Sequence, residues 1–249
     1  MRQFGLIGYP LSHSFSCGYF TQKFVKENIQ DSKYINFSIE SIEMLPEIIK
    51  GNSGLTGLNV TIPYKQKVIP YLDEIDQTAM KVNAVNTIKI YTDGYGKRIL
   101  KGYNTDIYGF NSAIAPYLKS EHRNALILGT GGASKAVFYS LMNLGINCKY
   151  ASRTHSELVF KTYDQLIPDD LKDFQIIVNT TPLGMFPKTD EFPDIPYEGI
   201  SGNQILFDLI YNPSETMFLS KGKSYGAIII NGYNMLVAQA EESWKIWNS

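Results

Sequence analysis

The amino-acid sequence predicts an α/β fold made of two domains, each organised around a sheet of mostly parallel strands. The length of 249 residues fits two domains of ordinary size. Short apolar runs typical of strands alternate with amphipathic helical patterns along the chain, as in folds with parallel sheets. A hairpin signal at Asp93-Gly94 interrupts this alternation, and a second series begins after residue 106. We therefore place the main division between the domains near residue 105.

The first series contains five predicted strands and three predicted helices. The strands are expected at residues 4–8, 34–39, 57–61, 87–91 and 98–103, and the helices at residues 16–28, 44–50 and 71–82. Gly8 and Pro10 end the first strand, and Gly51 ends the second helix. Because the last two strands flank the Asp93-Gly94 turn, we expect them to pair antiparallel.

The second series begins with a predicted helix at residues 106–118. Five strands follow, and the last helix is amphipathic; the strands are expected at residues 125–128, 147–151, 175–179, 204–208 and 227–230, and the helix at residues 235–247. One connection is unusually short, because only a few residues separate Ser152 from a possible strand at residues 160–163. A parallel crossover normally needs about a dozen residues, usually as a helix. Either a crossover helix is missing here, or residues 160–163 do not form a strand.

Charge and composition argue against several classes of protein. The 23 basic and 24 acidic residues nearly cancel, and no block of Lys or Arg marks a surface for nucleic acid or anionic membrane. No apolar run reaches the ~18 residues of a spanning helix, so we expect a soluble, cytoplasmic protein. The two cysteines and three histidines show no zinc spacing, and we expect neither a metal nor a disulfide; they are Cys17, Cys148, His13, His122 and His155. A small neutral or anionic ligand is favoured.

A glycine-rich turn at residues 129–132 indicates nucleotide binding. It lies where a predicted strand leads into a helix, and there backbone N–H groups and the helix dipole favour a pyrophosphate. Ser134 replaces the third glycine of the common G-x-G-x-x-G pattern, although Ala136 keeps the helix small. Where an NAD site would have an acidic residue about 20 positions on, this chain has Ser152-Arg153-Thr154. A guanidinium with two hydroxyls suits a 2′-phosphate, which favours NADP over NAD.

Polar side chains cluster where other predicted segments end. Alternation along the third strand places Asn59 and Thr61 on one face. Pro63 is expected to start a helix, which leaves Lys65 just beyond the carboxyl end of that strand. Residues 83–87 and 102–106 add amides, hydroxyls and one carboxylate at further segment ends. This mixture of uncharged donors and acceptors with one Lys and one Asp indicates a polyhydroxylated ligand.

Nine short motifs occur in order along the chain. They are G-x-P-x-x-H-S-x-S at residues 8–16, N-V-T-x-P-x-K at 59–65, N-A-V-N-T at 83–87, G-x-N-T-D-x-x-G at 102–109, G-x-G-G-x-x-x-A at 129–136, S-R-T at 152–154, N-T-T-P-x-G-M at 179–185, D-x-x-Y at 208–211 and G-x-x-M-L-x-x-Q-A at 232–240. Through these motifs, the sequence resembles the shikimate dehydrogenase family over nearly its whole length.

The resemblance implies a function and a domain layout. Members of the family reduce 3-dehydroshikimate to shikimate with NADPH, reversibly, in the pathway to chorismate and the aromatic amino acids. Residues 1–105 with 233–249 would form the substrate-binding catalytic domain, with the last helix packing back on it. Residues 106–232 would form a Rossmann-type NADP-binding domain.

The resemblance also implies roles for single residues. Lys65 and Asp106 would be the catalytic pair. The substrate would be held by seven side chains, namely Ser14, Ser16, Asn59, Thr61, Asn86, Tyr211 and Gln239. The cofactor would be held by nine residues, namely Gly129, Gly131, Gly132, Ala133, Ser152, Arg153, Thr154, Thr180 and Gly232. The pair suits the chemistry, because an ammonium can donate a proton to a carbonyl that gains hydride and stabilise the charge that develops on its oxygen.

Two alternatives stay open at this point. One is a dual-specificity quinate/shikimate dehydrogenase of the same fold, and the other is a non-catalytic sensor of the metabolite. Glu157 stands where the family usually offers a second cation to the 2′-phosphate, which predicts weak discrimination against NAD. Cys17 replaces a common proline in the first helical turn, a change that should be tolerated. We expect a monomer or homodimer.

Overall fold

The computed structural model of the protein describes residues 1–11 and 15–249, and these form two compact units. The first unit comprises residues 1–105 and 240–249, and the second comprises residues 106–239. Both are mixed helix and sheet, so the predicted α/β class is confirmed. The predicted layout assigned residues 233–249 to the first domain, whereas this division cuts the last helix at residue 240. The functional roles of the two units stay predictions.

The first unit is built on one six-stranded sheet. Its strands are β1 (Arg2–Gly8), β2 (Ser32–Ser38), β3 (Leu55–Val60), β4 (Glu74–Ile75), β5 (Thr87–Thr92) and β6 (Arg98–Tyr103), and its helices are α1 (Phe15–Lys26), α2 (Leu45–Gly51) and α3 (Gln77–Val82). The strand order is β2-β1-β3-β5-β6-β4. β1 is parallel to β2 and β3, while β5 runs antiparallel to both β3 and β6. The predicted hairpin of β5 and β6 is therefore confirmed.

The predicted helix at residues 71–82 is wrong in its first half. Residues before Gln77 form a 3₁₀ turn and then β4, which pairs parallel with β6. Asp73 explains the break, because its backbone N–H donates to Leu100 O at 3.0 Å and its carboxylate accepts from Leu100 N–H at 3.0 Å. Asp76 then caps α3 by accepting from the backbone N–H of Thr78. The pairing of β4 with β6 therefore outweighs the apolar spacing that predicted a helix here.

The expected helix start at Pro63 is also wrong. The chain turns there instead, with Tyr64 N–H donating to Thr61 O at 2.9 Å and Val68 N–H donating to Tyr64 O at 2.9 Å. Lys65 lies in this turn, beyond the carboxyl end of β3, as expected. The turn keeps Lys65 near the sheet edge without a helix.

The second unit is built on a six-stranded sheet in which every strand is parallel to its neighbours. Its strands are β7 (Asn124–Leu128), β8 (Asn147–Ser152), β9 (Val159–Thr162), β10 (Ile176–Asn179), β11 (Ile205–Asp208) and β12 (Ile228–Ile230), and its helices are α4 (Asp106–Ile114), α5 (Gly132–Asn143), α6 (Pro168–Lys172) and α7 (Met217–Ser224). The last helix, α8 (Tyr233–Asn248), begins in this unit, and its residues from 240 on belong to the first unit. The order β12-β11-β10-β7-β8-β9 is the strand order of the Rossmann fold. In such sheets ligands bind at the carboxyl ends of the strands where the order reverses, here between β7 and β10.

The connection after Ser152 is short because it lacks a crossover helix. β9 is a strand and pairs parallel with β8, so the alternative that these residues are not a strand is excluded. Only the six residues 153–158 join the two strands, and they form no helix. The stacked rings of Phe138 and Tyr150, 5.2 Å between centroids, therefore line an open groove with Leu158.

The carboxyl-terminal part of α8 is anchored in the first unit by aromatic side chains. The Phe4 ring lies 5.2 Å from that of Trp244 and 4.9 Å from that of Trp247, measured between centroids. Trp247 Nε1 donates to Ile88 O at 3.0 Å, and a side chain at Gly57 would overlap the Trp247 indole. The expectation that the last helix packs back on the first domain is confirmed for residues 240–249.

In residues 1–11 and 15–249, no helix combines the length and the apolar character that crossing a membrane requires.

Candidate active site

The opening motif meets the second motif at the end of β1. A side chain at Gly8 would overlap Thr61 Cγ2, so only glycine lets the two segments approach this closely. Thr61 N–H donates to Ile7 O at 2.9 Å. Ser16 lies in the first turn of α1, is buried, and is hydrogen-bonded to the Tyr34 hydroxyl. The predicted substrate ligand Ser14 lies outside the described residues.

Three of the motif segments converge within the first unit. Val60 N–H donates to Asn86 O at 2.8 Å, and Val85 N–H donates to Lys65 O at 2.7 Å. Asn86 N–H in turn donates to Tyr103 O at 3.0 Å. Because β5 runs antiparallel to β3 and β6, its start meets the ends of both neighbours. Lys65 and Asn86 are therefore brought to one place by the sheet.

The side-chain amide of Asn86 is held in a defined orientation. Its Oδ1 accepts from the backbone N–H of Thr105 at 2.7 Å and from the Thr105 hydroxyl at 3.1 Å. Asn86 is buried, with 3% of its surface exposed. Asn104, the neighbour of Thr105, donates from Nδ2 to Ala84 O at 2.9 Å. The third and fourth motifs thus lock each other in place.

Asn59, a predicted substrate ligand, lies in a buried cluster of the first unit. The Tyr34 hydroxyl donates to Asn59 Oδ1 at 2.8 Å, and Asn59 Nδ2 donates to Ser243 Oγ at 3.0 Å and Thr87 Oγ1 at 3.3 Å. Our reading of the sequence did not identify Tyr34, Thr87 or Ser243 as part of this cluster. The available signal was the spacing of Ser243, one helical turn after Gln239.

Asp106 and Gln239 belong to two helices, α4 and α8, that pack against each other in the second unit. Asp106 is the first residue of α4, where a carboxylate is favoured by the helix dipole, and it is buried. One turn later, a Cβ at Gly109 would lie 2.5 Å from Met235 O and 3.0 Å from Gln239 Cβ. Glycine is required there for α4 and α8 to pack, and this packing places Gln239 beside Gly109.

The glycine turn after β7 contains one glycine that the backbone requires and two glycines with free space around them. Gly129 has φ +99°, and a Cβ there would lie 2.8 Å from Thr181 Cγ2. Thr180 donates its hydroxyl to Leu128 O at 2.7 Å, which fixes the facing strand end. At Gly131 and Gly132, by contrast, an added Cβ would meet no heavy atom within 4 Å. The fold itself does not require these two glycines, and they leave the backbone at the start of α5 accessible, as a pyrophosphate needs.

The other predicted cofactor residues occupy the ends of β8 and α5. Ala133 is half-buried in the first turn of α5. Ser152 ends β8, and Arg153 and Thr154 follow it as exposed residues. Glu157 lies exposed in the same six-residue connection. Arg153 is the one Lys or Arg in that connection, so a 2′-phosphate there would find one fixed positive charge.

A buried carboxylate anchors the loop that carries Tyr211. Asp208 Oδ2 accepts from the Thr216 hydroxyl at 2.6 Å, and its Oδ1 accepts from Ile210 N–H at 3.0 Å and Asn179 Nδ2 at 3.1 Å. Burial raises the pKa of Asp208 to about 6, against the effect of these three donors. Asp208 ties the end of β11 to that of β10, and it holds the start of the loop with the half-buried Tyr211.

Backbone packing around residue 232 requires a glycine there. A side chain there would overlap the backbone carbonyl of Leu209, and Gly232 N–H donates to Ile210 O at 3.0 Å. The missing side chain is therefore explained by backbone packing ahead of α8. Its predicted contact with a nicotinamide stays a prediction.

Comparison with known proteins agrees with the motifs. Residues 6–88 match the family profile described as the shikimate dehydrogenase substrate binding domain. A shikimate dehydrogenase (NADP(+)) of Methanosphaera stadtmanae is 39% identical, with 98% of this chain and 90% of the relative covered. One from Methanococcus maripaludis is 42% identical, again with 98% and 90% covered.

Among solved structures, a shikimate dehydrogenase in complex with NADP+ superposes with a TM-score of 0.87 at 36% identity. The match covers 99% of this chain and 90% of that one. Identity at this level over nearly the full length of both chains, together with the shared motif order, shows that the chain belongs to the shikimate dehydrogenase family.

Proposed function

We propose that this protein catalyses the reversible, NADPH-dependent reduction of 3-dehydroshikimate to shikimate. The observation that carries the proposal is the convergence of Lys65 and Asn86 at the ends of β3 and β5, fixed by the hydrogen bond from Val85 N–H to Lys65 O. With its backbone held at this point, Lys65 would supply an ammonium near the fixed Asn86 amide, as the reduction of a carbonyl on a hydroxylated ring requires. The names of the relatives support the same reaction.

The residues of the second unit fit a bound NADP. The open backbone at Gly131, Gly132 and Ala133 would hold the pyrophosphate, and Ser152, Arg153 and Thr154 would hold the 2′-phosphate. Gly129, Thr180 and Gly232 would complete the lining. When bound, this cofactor supplies or accepts the hydride.

Lys65 and Asp106 would handle the proton. In the reducing direction, Lys65 Nζ donates a proton to the carbonyl oxygen as negative charge develops on it. In the oxidising direction, the lysine amine accepts the proton that the alcohol loses. The Asp106 carboxylate would orient the ammonium and the adjacent hydroxyl of the substrate. The remaining predicted residues would hold the substrate carboxylate and ring hydroxyls, and they are Ser14, Ser16, Asn59, Thr61, Asn86, Tyr211 and Gln239.

The direct test is a panel of substrates and cofactors with the purified wild-type protein. Shikimate and quinate are each combined with NADP+ and NAD+, nicotinamide reduction is followed by absorbance, and shikimate binding is followed by calorimetry. We expect turnover with shikimate and NADP+. Comparable turnover with quinate or NAD+ would assign the dual-specificity activity instead. Binding of shikimate without turnover in any combination would assign a sensor.

We further propose that the protein works in the cytoplasm on small-molecule ligands, as a monomer or homodimer. Light scattering of the purified protein across a concentration series measures the assembly state. A trimer or larger assembly would contradict this part of the proposal.

A further inference from the structure

Three buried hydroxyls from separate segments of the first unit form a triangle. Thr87 Oγ1 lies 2.7 Å from Ser243 Oγ, and Thr105 Oγ1 lies 3.2 Å from each of these atoms. Thr87 begins β5, Thr105 follows β6 and Ser243 belongs to α8. At most 1% of each residue is exposed. We name these three residues the hydroxyl triangle.

The hydroxyl triangle accepts hydrogen bonds from one amide and donates hydrogen bonds to another. Asn59 Nδ2 can only donate, and it points to Ser243 Oγ and Thr87 Oγ1. Asn86 Oδ1 can only accept, and it lies 3.1 Å from Thr105 Oγ1 and 3.2 Å from Thr87 Oγ1. The hydroxyls are thus arranged to pass hydrogen bonds from Asn59 to Asn86.

The backbone N–H of Thr105, a member of the hydroxyl triangle, shows which end of the Asn86 amide faces the triangle. The backbone N–H of Thr105 can only donate, so the atom that it meets at 2.7 Å must be Oδ1. Turning the amide over would place Nδ2 against that N–H and leave a buried donor unsatisfied, which is unfavourable. Nδ2 is therefore the end directed away from the triangle.

We propose that the hydroxyl triangle is a positioning element that fixes the Asn86 amide, so that Asn86 binds the substrate as a hydrogen-bond donor through Nδ2. The proposal rests on the proposed function, in which Asn86 contacts the substrate. It adds which end of the amide is used and which residues decide it. Thr87, Thr105 and Ser243 are positioning residues, because they act through Asn86.

The first test removes one hydroxyl at a time. Thr87→Val and Ser243→Ala are compared with Thr56→Val, a matched change in β3 at a hydroxyl that donates to Gln3 O at 3.2 Å. We expect the Kd and KM for shikimate to rise about fivefold to tenfold in the first two variants, the equivalent of one lost hydrogen bond, with KM for NADP+ unchanged. Thr56→Val should match the wild type. Unchanged shikimate Kd in folded Thr87→Val and Ser243→Ala would overturn the proposal.

The second test asks whether the effect passes through Asn86. In an Asn86→Ala background, Thr87→Val should cause no further rise in the shikimate Kd, because there is no amide left to orient. Effects that add in the double variant would overturn the proposal.

A third test examines the donor role of Asn86 Nδ2 directly. It leaves the hydroxyl triangle intact. Asn86→Asp keeps oxygens that accept from Thr105 but lacks Nδ2, so we expect shikimate binding as weak as in Asn86→Ala. Wild-type affinity in Asn86→Asp would overturn the donor role. A wild-type protein that neither binds nor oxidises shikimate would instead overturn the proposed function.

Discussion

The Thr216 hydroxyl donates to the Asp208 carboxylate at 2.6 Å at a position where neither residue is exposed to solvent. Thr216 also accepts from Leu219 N–H at the start of α7, so this contact joins the end of β11 to the next helix. Burial of a carboxylate in this way raises its pKa in the folded protein. This residue should therefore make its own contribution to the pH dependence of the protein's stability.

We expect Asp208→Asn to gain stability relative to the wild type as the pH rises from 4 to 7. Burial raises the folded pKa of Asp208 from 3.8 to about 6, so the wild type is stabilised by this group at low pH and loses that contribution as pH rises through about 6. The shift corresponds to about 3 kcal/mol in the difference between the two proteins. Urea unfolding at pH 4, 5, 6 and 7 measures it. Exposed Asp190→Asn is the control, and a difference between Asp208→Asn and wild type that does not change with pH would contradict the account.

Substitutions at the two kinds of glycine in the nucleotide turn should separate folding from binding. Gly131→Ala places its Cβ in open space at φ −75°, so we expect unchanged thermal unfolding but at least a tenfold higher KM for NADP+. Gly129→Ala should lower the unfolding temperature, because φ is +99° and the Cβ would crowd Thr181. An unchanged KM for NADP+ in Gly131→Ala would show that this backbone does not bind the cofactor.

Substitutions in the six-residue connection after β8 should change the preference for NADP+ over NAD+. Glu157→Arg adds a second cation near Arg153, and we expect it to raise the preference for NADP+ over NAD+, expressed as a ratio of kcat/KM, about tenfold. Glu157→Gln removes the negative charge without adding a positive one and should give a smaller rise. Arg153→Ala should abolish the preference. Equal ratios in all four proteins would mean that this connection does not contact the 2′-phosphate.

Trp247 should account for much of the anchoring of the last helix. Trp247→Ala removes the ring that stacks on Phe4 and the bond to Ile88 O, and we expect a loss of about 3–5 kcal/mol in unfolding free energy. Tyr95→Ala, at a tyrosine that is 98% exposed, is the matched control and should change little. A loss of under 1 kcal/mol in Trp247→Ala would indicate that the helix is held by other contacts.

The sequence predicted the fold class and most element positions because the relevant signals are local. Apolar runs, the Asp93-Gly94 turn and the glycine-rich turn each depend on residues close together in the chain. The prediction at residues 71–82 failed because Asp73 pairs with Leu100, and a distant partner leaves no mark in local spacing. The short connection at residues 153–158 could be noticed but not interpreted until the pairing of β8 with β9 was known.

The candidate site was predictable only in part for the same reason. Motifs named Asn59 and Asn86 as candidate ligands, but they did not show that Asn59 turns its amide toward Tyr34 and Ser243. They named the D-x-x-Y motif without showing that Asp208 is buried. Some polar side chains form hydrogen bonds inside the protein, and which ones do so depends on their neighbours in space. The sequence does not show those neighbours.

The most direct test of the central claim compares two lysines in one turn. Lys65 and Lys67 lie two residues apart after β3, and Lys67 is exposed. Shikimate oxidation by NADP+ is measured for Lys65→Ala, Lys67→Ala and the wild type under identical conditions. We expect kcat to fall by at least about 10³-fold in Lys65→Ala, as loss of a group that moves the proton and stabilises charge would cause, and to stay near the wild-type value in Lys67→Ala. A Lys65→Ala protein that is folded, binds shikimate and keeps wild-type kcat would contradict the assignment of the catalytic lysine.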